Sequence, residues 1–260
     1  MSGIESVVAT LSSGVTARPR LTHYDSVDGV PERIELSGRV LLNWVSKAAN
    51  LLREEFDAEP GTRVAIDLPA GHWRAAYWAL ATWAVGATVL VVEPGAADSP
   101  SVAAADVIVS TDPGSTDLGG SAAWPPRVVV TPAALARRHP QGVPAGAFDE
   151  AAVLATYGDV FDDMDSPGPD EPALVAVRTG GDEDVLTFAE LGAASAGGVP
   201  GSPERLLLLV PADPVTALTS LLATWAGDGS VVVSRSAPGA PPTEAEVALL
   251  EQSEGVTRRA

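Results

Sequence analysis

Apolar residues recur along the first half of the chain in two alternating patterns. From Arg39 to Phe56 they fall at helical spacing, behind Ser37 as a candidate N-cap and ahead of the turn pair Pro60–Gly61. A second helix is predicted over residues 72–85. Short continuous apolar runs, typical of strands buried in a parallel sheet, occupy residues 63–68, 87–92, 107–109 and 128–130. This alternation of strands and helices predicts an α/β fold.

The pattern changes between residues 140 and 172, where Pro, Gly and acidic residues crowd together. It then resumes with predicted strands over 173–177 and 206–210, a Thr187-x-x-Glu190 capping box that marks a helix start, and a short helix over 243–252. Each of two lobes is expected to contain a mainly parallel sheet flanked by helices. The predicted divisions are a first α/β lobe with an N-terminal extension (1–140), an acidic connection (141–172), a second α/β lobe (173–236) and a C-terminal tail (237–260).

An internal repeat relates the two predicted lobes. When the sequence is shifted by 142 positions, 11 of the 29 residues from Arg63 to Val91 are identical to their counterparts. The match aligns Trp83 with Trp225, and a similar offset of 150 aligns Leu36–Ser37 with Leu186–Thr187. An ungapped match through strand, helix and strand predicts two homologous lobes. It also favours a shared packing role in the core for the two equivalent tryptophans.

Composition and charge narrow the classes of function. The chain has 260 residues with 16 Lys+Arg against 34 Asp+Glu, a formal net charge of −18. A charge of this sign and size repels phosphate backbones and anionic lipid, so neither nucleic acid nor a membrane is an expected partner. Because there is no cysteine, a disulfide framework, a Cys-ligated zinc site and a cysteine nucleophile are excluded. The first twenty residues lack a signal-peptide pattern, and the cytoplasm is the expected location.

Several short motifs carry a family resemblance through their order and spacing. They are Leu36-Ser37, Lys-Ala-Ala-Asn-Leu-Leu at 47–52, Pro-Gly-Thr-Arg-Val-Ala at 60–65, and Ala-Val-Gly-Ala-Thr-Val-Leu-Val-Val-Glu-Pro at 84–94. Over about residues 21–236 the chain resembles the N-terminal portion of the large domain of adenylate-forming (AMP-binding) enzymes. That superfamily includes acyl-CoA synthetases, luciferases and the adenylation domains of peptide synthetases. The resemblance implies two similar α/β subdomains, which would account for the repeat.

The resemblance also implies a phosphate loop directly after the strand at 173–177. Such a loop is rich in Ser, Thr and Gly and ends in Pro-Lys, because glycines let backbone N–H groups approach a polyphosphate and a cation offsets its charge. The chain has no lysine there, and three acids, Asp182-Glu183-Asp184, follow. We interpret the four residues before them as a vestigial, degenerate phosphate loop: Arg178, Thr179, Gly180 and Gly181.

The family's later motifs lie over the adenine, the magnesium ion and the ribose, and a small C-terminal domain brings a catalytic lysine. The resemblance ends near Arg235 and the sequence ends at Ala260, so these motifs are expected to be missing. No catalytic residue and no cofactor are therefore predicted. ATP or AMP with Mg²⁺ is expected only if the chain works as part of a ligase.

Other candidate sites lack a supporting pattern. The acidic residues within 159–165 do not follow the EF-hand spacing, so no metal site is predicted. The three histidines, His23, His72 and His139, lack a metal-ligand spacing and are interpreted as surface or cap residues. Neither a Gly-x-Ser-x-Gly elbow nor a Gly-x-Gly-x-x-Gly loop is present. Four tryptophans that could stack on a ligand are better explained as core: Trp73, Trp78, Trp83 and Trp225.

These observations favour a non-catalytic, AMP-binding-enzyme-like protein, a pseudoenzyme that binds a small ligand or a protein partner. The crevice at the carboxyl ends of the strands near Thr179–Gly181 is the expected place for a ligand. Two alternatives stay open. The chain could be a fragment of an ATP-dependent acid-activating ligase, similar to acyl-CoA synthetases, that needs a second polypeptide. It could also be a structural module that forms a homodimer.

Overall fold

Helices and strands alternate along the chain. The structure is a computed structural model that describes residues 3–13, 17–26, 31–69, 71–113, 125–162, 164–196, 203–210, 213–236 and 240–260. The elements in chain order are α1 (Gly3–Ser12), β1 (Pro19–Asp25), β2 (Glu32–Ser37), α2 (Gly38–Phe56), β3 (Arg63–Asp67), α3 (Trp73–Ala84), β4 (Thr88–Val92), α4 (Pro100–Ala103), β5 (Val107–Ser110), β6 (Arg127–Val129), β7 (Phe148–Asp149), α5 (Glu150–Val153), β8 (Pro172–Val177), β9 (Glu183–Thr187), α6 (Phe188–Ser195), β10 (Arg205–Val210), α7 (Pro214–Ala226), β11 (Ser230–Arg235), α8 (Glu244–Glu254) and β12 (Arg258–Arg259).

The strands predicted from continuous apolar runs are confirmed. All five residues of β4 are buried, as expected of a strand that is covered on both faces. The start of α2 is also confirmed, since the Ser37 hydroxyl accepts a hydrogen bond from the Val40 N–H at 3.3 Å. A capping box between Thr243 and Glu246 begins α8.

The pattern analysis missed α1, the hairpin of β1 and β2, and β9. In β2 buried or half-buried positions alternate with exposed ones along Glu32–Ser37, because this strand is an edge of its sheet. A short, charged run of this kind resembles a loop when only apolar runs are counted. In β9 the acids Glu183 and Asp184 occupy exposed strand positions, where the sequence suggested a longer loop.

The strands form two mainly parallel sheets flanked by helices, which confirms the α/β fold class. One sheet has five strands in the order β12-β10-β11-β1-β2, with β2 antiparallel to β1. The other has seven in the order β7-β6-β5-β3-β4-β8-β9, with β9 antiparallel to β8. In each sheet a hairpin from one part of the chain pairs with a strand–helix–strand segment from another.

The described chain forms two compact units. The first contains Met1–Leu42, Ala70–Ala76 and Ala189–Ala260, and the second contains Asn43–Pro69 and Tyr77–Phe188. The units are therefore discontinuous in sequence, whereas the boundaries predicted from composition at 140, 172 and 236 are linear. The hairpin β1–β2 belongs to the same unit as β10 and β11, and the hairpin β8–β9 belongs to the same unit as β3 and β4.

The segments that the repeat aligns have the same strand register. Arg63 of β3 lies opposite Thr88 of β4, and Arg205 of β10 lies opposite Ser230 of β11, the residues that an offset of 142 would pair. The two equivalent tryptophans also make the same contact. Trp83 donates to the Ala173 carbonyl of β8 at 2.8 Å, and Trp225 donates to the Arg20 carbonyl of β1 at 2.9 Å. The matched residues Ala70, Pro211 and Ala212 lie outside the described part of the chain.

Part of the predicted acidic connection lies along α2. Three α2 side chains at successive turns, Lys47, Asn50 and Arg53, contact residues 155–165 within the second unit. The Lys47 amine lies 2.6 Å from the Tyr157 carbonyl oxygen and 2.5 Å from the Asp159 carboxylate. The Asn50 amide donates to the carbonyls of Gly158 at 3.1 Å and Val160 at 3.0 Å. Arg53 pairs with Asp165. This segment is therefore bound to a helix.

The four tryptophans predicted as core residues are buried: Trp73, Trp78, Trp83 and Trp225. None of the helices in the described ranges is both long enough and apolar enough to span a bilayer.

Candidate functional site

The predicted loop residues 178–181 form a tight turn between β8 and β9. The Arg178 N–H donates to the Asp182 carbonyl at 3.1 Å, and the Gly181 N–H donates back to the Arg178 carbonyl at 3.2 Å. Gly180 and Gly181 have φ angles of +105° and +91°, which residues with a side chain rarely adopt. Since a Cβ at either glycine would meet no atom within 4 Å, the turn needs its glycines for backbone conformation.

A carboxylate of the chain itself occupies the hydrogen-bond donors of this turn. Glu93 directly follows β4, which pairs with β8, and its N–H donates to the Val177 carbonyl at 3.0 Å. Its Oε2 accepts the Thr179 N–H at 3.0 Å, and its Oε1 lies 3.3 Å from Nη1 of Arg178. The Thr179 hydroxyl lies 3.4 Å from the same Oε2 and 3.3 Å from the Pro94 carbonyl oxygen. Glu93 thus contacts the backbone N–H, the hydroxyl and the guanidinium of residues that the resemblance assigns to a phosphate loop.

Further acids surround the turn. Asp184 pairs with Arg178 through Nε at 2.8 Å and Nη2 at 2.7 Å, and Glu183 accepts a hydrogen bond from the Ser101 hydroxyl. Together with Asp182 and Glu93, four carboxylates lie on or beside a turn that presents the single guanidinium of Arg178. Arg178 is 31% exposed and so is partly open to solvent. Among the described residues, no group of three or more His, Cys, Asp or Glu could hold a metal ion.

His23 is buried within β1, so its interpretation as a surface or cap residue was wrong. It lies in β1 with no exposed area, and neither ring nitrogen has a hydrogen-bond partner among the residues that the structure describes. Its ring centroid is 5.0 Å from that of His72 in an edge-to-face arrangement. Burial lowers the pKa of His23 to about 4, opposed by the nearby Asp25 carboxylate and assisted by Arg235. No local spacing signals this burial, since β1 was not predicted as a strand.

The other two histidines are closer to expectation. His72 precedes α3, and its Nδ1 accepts the Arg74 N–H at 3.2 Å, as a cap residue does. It is nevertheless buried. His139 is half-buried, and its backbone N–H donates to Asp149 at 2.9 Å.

Glu150 is a second buried ionisable group that the sequence analysis missed. Its side chain, 1% exposed, accepts hydrogen bonds from the Tyr77 hydroxyl and from Nε1 of Trp78 at 3.0 Å. Both donors lie on α3, more than seventy positions earlier in the chain. These contacts explain how a carboxylate is accommodated in the interior.

No protein-family model matches the sequence. The chain is, however, 35% identical over 217 residues to a TIGR03089 family protein of Mycobacterium tuberculosis, and the match covers 82% of this chain and 76% of that protein. It belongs to the TIGR03089 family.

The fold is shared with adenylate-forming enzymes, as the resemblance implied. The Brucella canis acyl-CoA synthetase matches 100% of the chain with a TM-score of 0.74 at 14% identity, over 47% of its own length. A Mycobacterium tuberculosis fatty acyl CoA synthetase matches 99% with a TM-score of 0.67 at 15% identity, over 48% of its length. The N-terminal subdomain of Klebsiella oxytoca NpsA, in complex with 3-hydroxybenzoyl-AMSN, matches 100% with a TM-score of 0.63 at 17% identity, over 59% of its length. The chain thus spans about half the length of these solved structures.

Proposed function

We propose that this TIGR03089 family chain does not activate acids with ATP and instead binds a small ligand or a protein partner. The observation that carries the proposal is the Glu93 carboxylate on the turn after β8, where it accepts the Thr179 N–H and faces Arg178. A phosphate group would need these same donors. The chain therefore supplies its own anion to a turn that serves phosphate in an adenylate-forming enzyme.

Electrostatics support this proposal. A phosphate placed about 5 Å from one carboxylate costs about 3 kcal/mol at an effective dielectric constant of about 20. Glu93, Asp182, Glu183 and Asp184 all lie on or beside the turn, and Arg178 already pairs with two of them. One guanidinium does not offset that repulsion.

The predicted duplication suggests that this ion pair is a structural device. We infer that the two lobes are homologous, because the registers and the tryptophan contacts correspond. At the equivalent strand ends of the other sheet, Arg235 at the end of β11 pairs with Asp25 at the end of β1. The charges are exchanged relative to the other sheet, where the acid Glu93 follows β4 and the base Arg178 follows β8. In both sheets an ion pair thus joins the carboxyl ends of neighbouring parallel strands.

The test compares two variants of equal charge by calorimetric titration with pyrophosphate. Glu93→Ala removes the carboxylate from the donors of Thr179 and Arg178, whereas Glu183→Ala removes an acid that bonds Ser101. We expect Glu93→Ala to bind pyrophosphate at least about tenfold more tightly than either wild type or Glu183→Ala. Equal affinities in all three proteins, or pyrophosphate release by wild type that depends on ATP and acid, would overturn the proposal.

A second function is favoured by one specific observation. The solved structures extend well beyond the matched half, and the matched NpsA subdomain was solved with 3-hydroxybenzoyl-AMSN. On this alternative the chain is part of an ATP-dependent acid-activating ligase that a second polypeptide completes. Titration of wild type with ATP, AMP and an acyl-adenylate analogue, each with and without Mg²⁺, distinguishes the two. Micromolar binding supports the ligase, and no heat at millimolar nucleotide supports the non-catalytic function.

A further inference from the structure

The five-stranded sheet contains a point where consecutive connections run in opposite directions. Helix α7 carries the chain from β10 to its neighbour β11, and α8 then carries it back past β10 to β12. Parallel crossover connections are almost always right-handed, so α7 and α8 belong on opposite faces of the sheet. The chain leaves the carboxyl ends of β10 and β11 toward opposite faces. In α/β proteins such a point opens a crevice where ligands bind.

A cavity of about 400 Å³ lies at this point, within the first unit. It is lined by Leu209 near the end of β10, by Ser234 in β11, and by Val247 and Leu250 of α8. Ser26 and Ser236, which follow β1 and β11, add further hydroxyl groups to the lining. The volume falls within the range of about 300–1,000 Å³ that is usual for small-molecule sites.

The lining combines apolar side chains with hydroxyl groups. Leu209 and Leu250 are partly buried and continue the cluster that Val247 forms with Leu207 and Val232 between α8 and the sheet. Ser234 pairs with Leu209 between β11 and β10, so the two side chains lie side by side on the same face of the sheet. The serine hydroxyls can both donate and accept hydrogen bonds. A ring or branched alkyl group therefore fits against the leucine and valine side chains, and an oxygen-bearing substituent fits beside the serine hydroxyls.

The charges around the cavity disfavour an anion. Glu246 lines it, and its carboxylate is held by the N–H and the hydroxyl of Thr243, each at 2.7 Å. Arg235, the nearest cation along β11, is already paired with Asp25. An acidic ligand would therefore meet the Glu246 carboxylate, while the guanidinium of Arg235 is already paired.

We propose that this cavity binds a small, uncharged, monocyclic compound with a hydroxyl or carbonyl group. The ring packs on Leu209, Val247 and Leu250, and the polar group bonds the hydroxyls of Ser234 and Ser236. The site lies in the other unit from the β8–β9 turn, so the inference goes beyond the proposed function and does not depend on it.

Protein-observed NMR titration of the full chain tests the site with benzyl alcohol and benzoate, which share a ring and differ in charge. We expect benzyl alcohol to shift the signals of Ser234, Val247 and Leu250 with saturable binding, and benzoate to bind at least about tenfold more weakly. Leu250→Trp fills the cavity and should weaken benzyl alcohol at least about tenfold. Leu249→Trp is the matched control, because the Leu249 side chain is 67% exposed and does not line the cavity.

A second variant guards against misfolding of Leu250→Trp, since Leu250 also packs on the sheet. Ser234→Ala removes one hydroxyl and should weaken benzyl alcohol about fivefold, the effect of one lost hydrogen bond. Three results would each overturn the inference: no saturable shift with benzyl alcohol, tighter binding of benzoate, or unchanged affinity in Ser234→Ala. None of these measurements contains a nucleotide, so a ligase activity would leave them unaffected.

Discussion

His23 illustrates at the scale of one residue how burial sets a pH limit on folding. The imidazole is enclosed beside His72, and the charges of Asp25 and Arg235 act on it. Its pKa falls to about 4 in the folded chain because burial disfavours the charged ring, whereas the unfolded value is about 6.5. Between these values the unfolded state binds more protons. The free energy of unfolding therefore decreases as the pH falls from about 6.5 to about 4.

Replacing this ring should reduce the acid sensitivity of the protein. Linkage predicts that His23 alone lowers the free energy of unfolding of wild type by about 2 kcal/mol when the pH falls from 7.5 to 5. We expect His23→Leu to lose about that much less stability over the same interval, measured by urea unfolding at both pH values. His139→Leu leaves His23 in place and should retain the wild-type difference. An undiminished pH dependence in His23→Leu would show that other groups cause it.

Residue roles were predictable where the partner is close in sequence or the pattern is repeated. Ser37 as an N-cap follows from its place before a helical pattern, and Trp83 and Trp225 as core residues follow from their equivalent positions. The role of Glu93 does not follow in this way, because Thr179 lies 86 positions away and meets it only through the pairing of β4 with β8. The resemblance located residues 178–181, but only the structure shows that the Glu93 carboxylate contacts them.

At the scale of an element, one carboxylate at the end of α8 adds polar contacts to the apolar packing of this helix on its sheet. Glu254, 9% exposed in its side chain, pairs with Arg205 and lies 3.1 Å from Nη2 of Arg33, and the Tyr24 hydroxyl donates to it. Burial raises the pKa of Glu254, but hydrogen bonds from Tyr24, Arg205 and Arg33 outweigh burial and lower it. Its stabilising effect is therefore present above the unfolded pKa and is lost as the pH falls through the folded pKa.

Neutralising this carboxylate should weaken the attachment of α8. We expect Glu254→Gln to lower the free energy of unfolding at pH 7 by about 2 kcal/mol, since hydrogen bonds to charged groups contribute about 1.5–3 kcal/mol each and glutamine retains part of them. Urea unfolding measures the loss, which should shrink as the pH falls below the unfolded pKa of about 4.5 toward the lower folded pKa. Glu251→Gln is the control on the same helix, where the exposed pair with Arg259 should matter less. A larger loss of unfolding free energy in Glu251→Gln than in Glu254→Gln would contradict the stabilising role assigned to Glu254.

At the scale of the whole molecule, each sheet combines parts of the chain that are far apart in sequence. Strand β1 pairs with β11, about 210 positions later, and β4 pairs with β8 across the acidic connection. Composition identifies where the chain is polar, and periodicity identifies strands, but neither indicates which strands are neighbours in a sheet. The α/β class could therefore be predicted from sequence. The division into units that are discontinuous in sequence could not, because it depends on which strands pair.

This arrangement predicts that the chain cannot be divided at its acidic connection. A fragment of residues 1–171 lacks β8, β9, β10 and β11, so its β1–β2 hairpin has no sheet and β4 becomes an open edge. A fragment of residues 172–260 retains β10, β11 and β12 but lacks the hairpin that pairs with β11. A buried parallel edge exposes unpaired backbone and apolar surface, which is unfavourable in water. We expect neither fragment to unfold cooperatively alone and their mixture to recover the circular dichroism and melting transition of the full chain. Cooperative unfolding of 1–171 alone would instead support the linear boundaries predicted from composition, because it would show that one lobe contains a complete core.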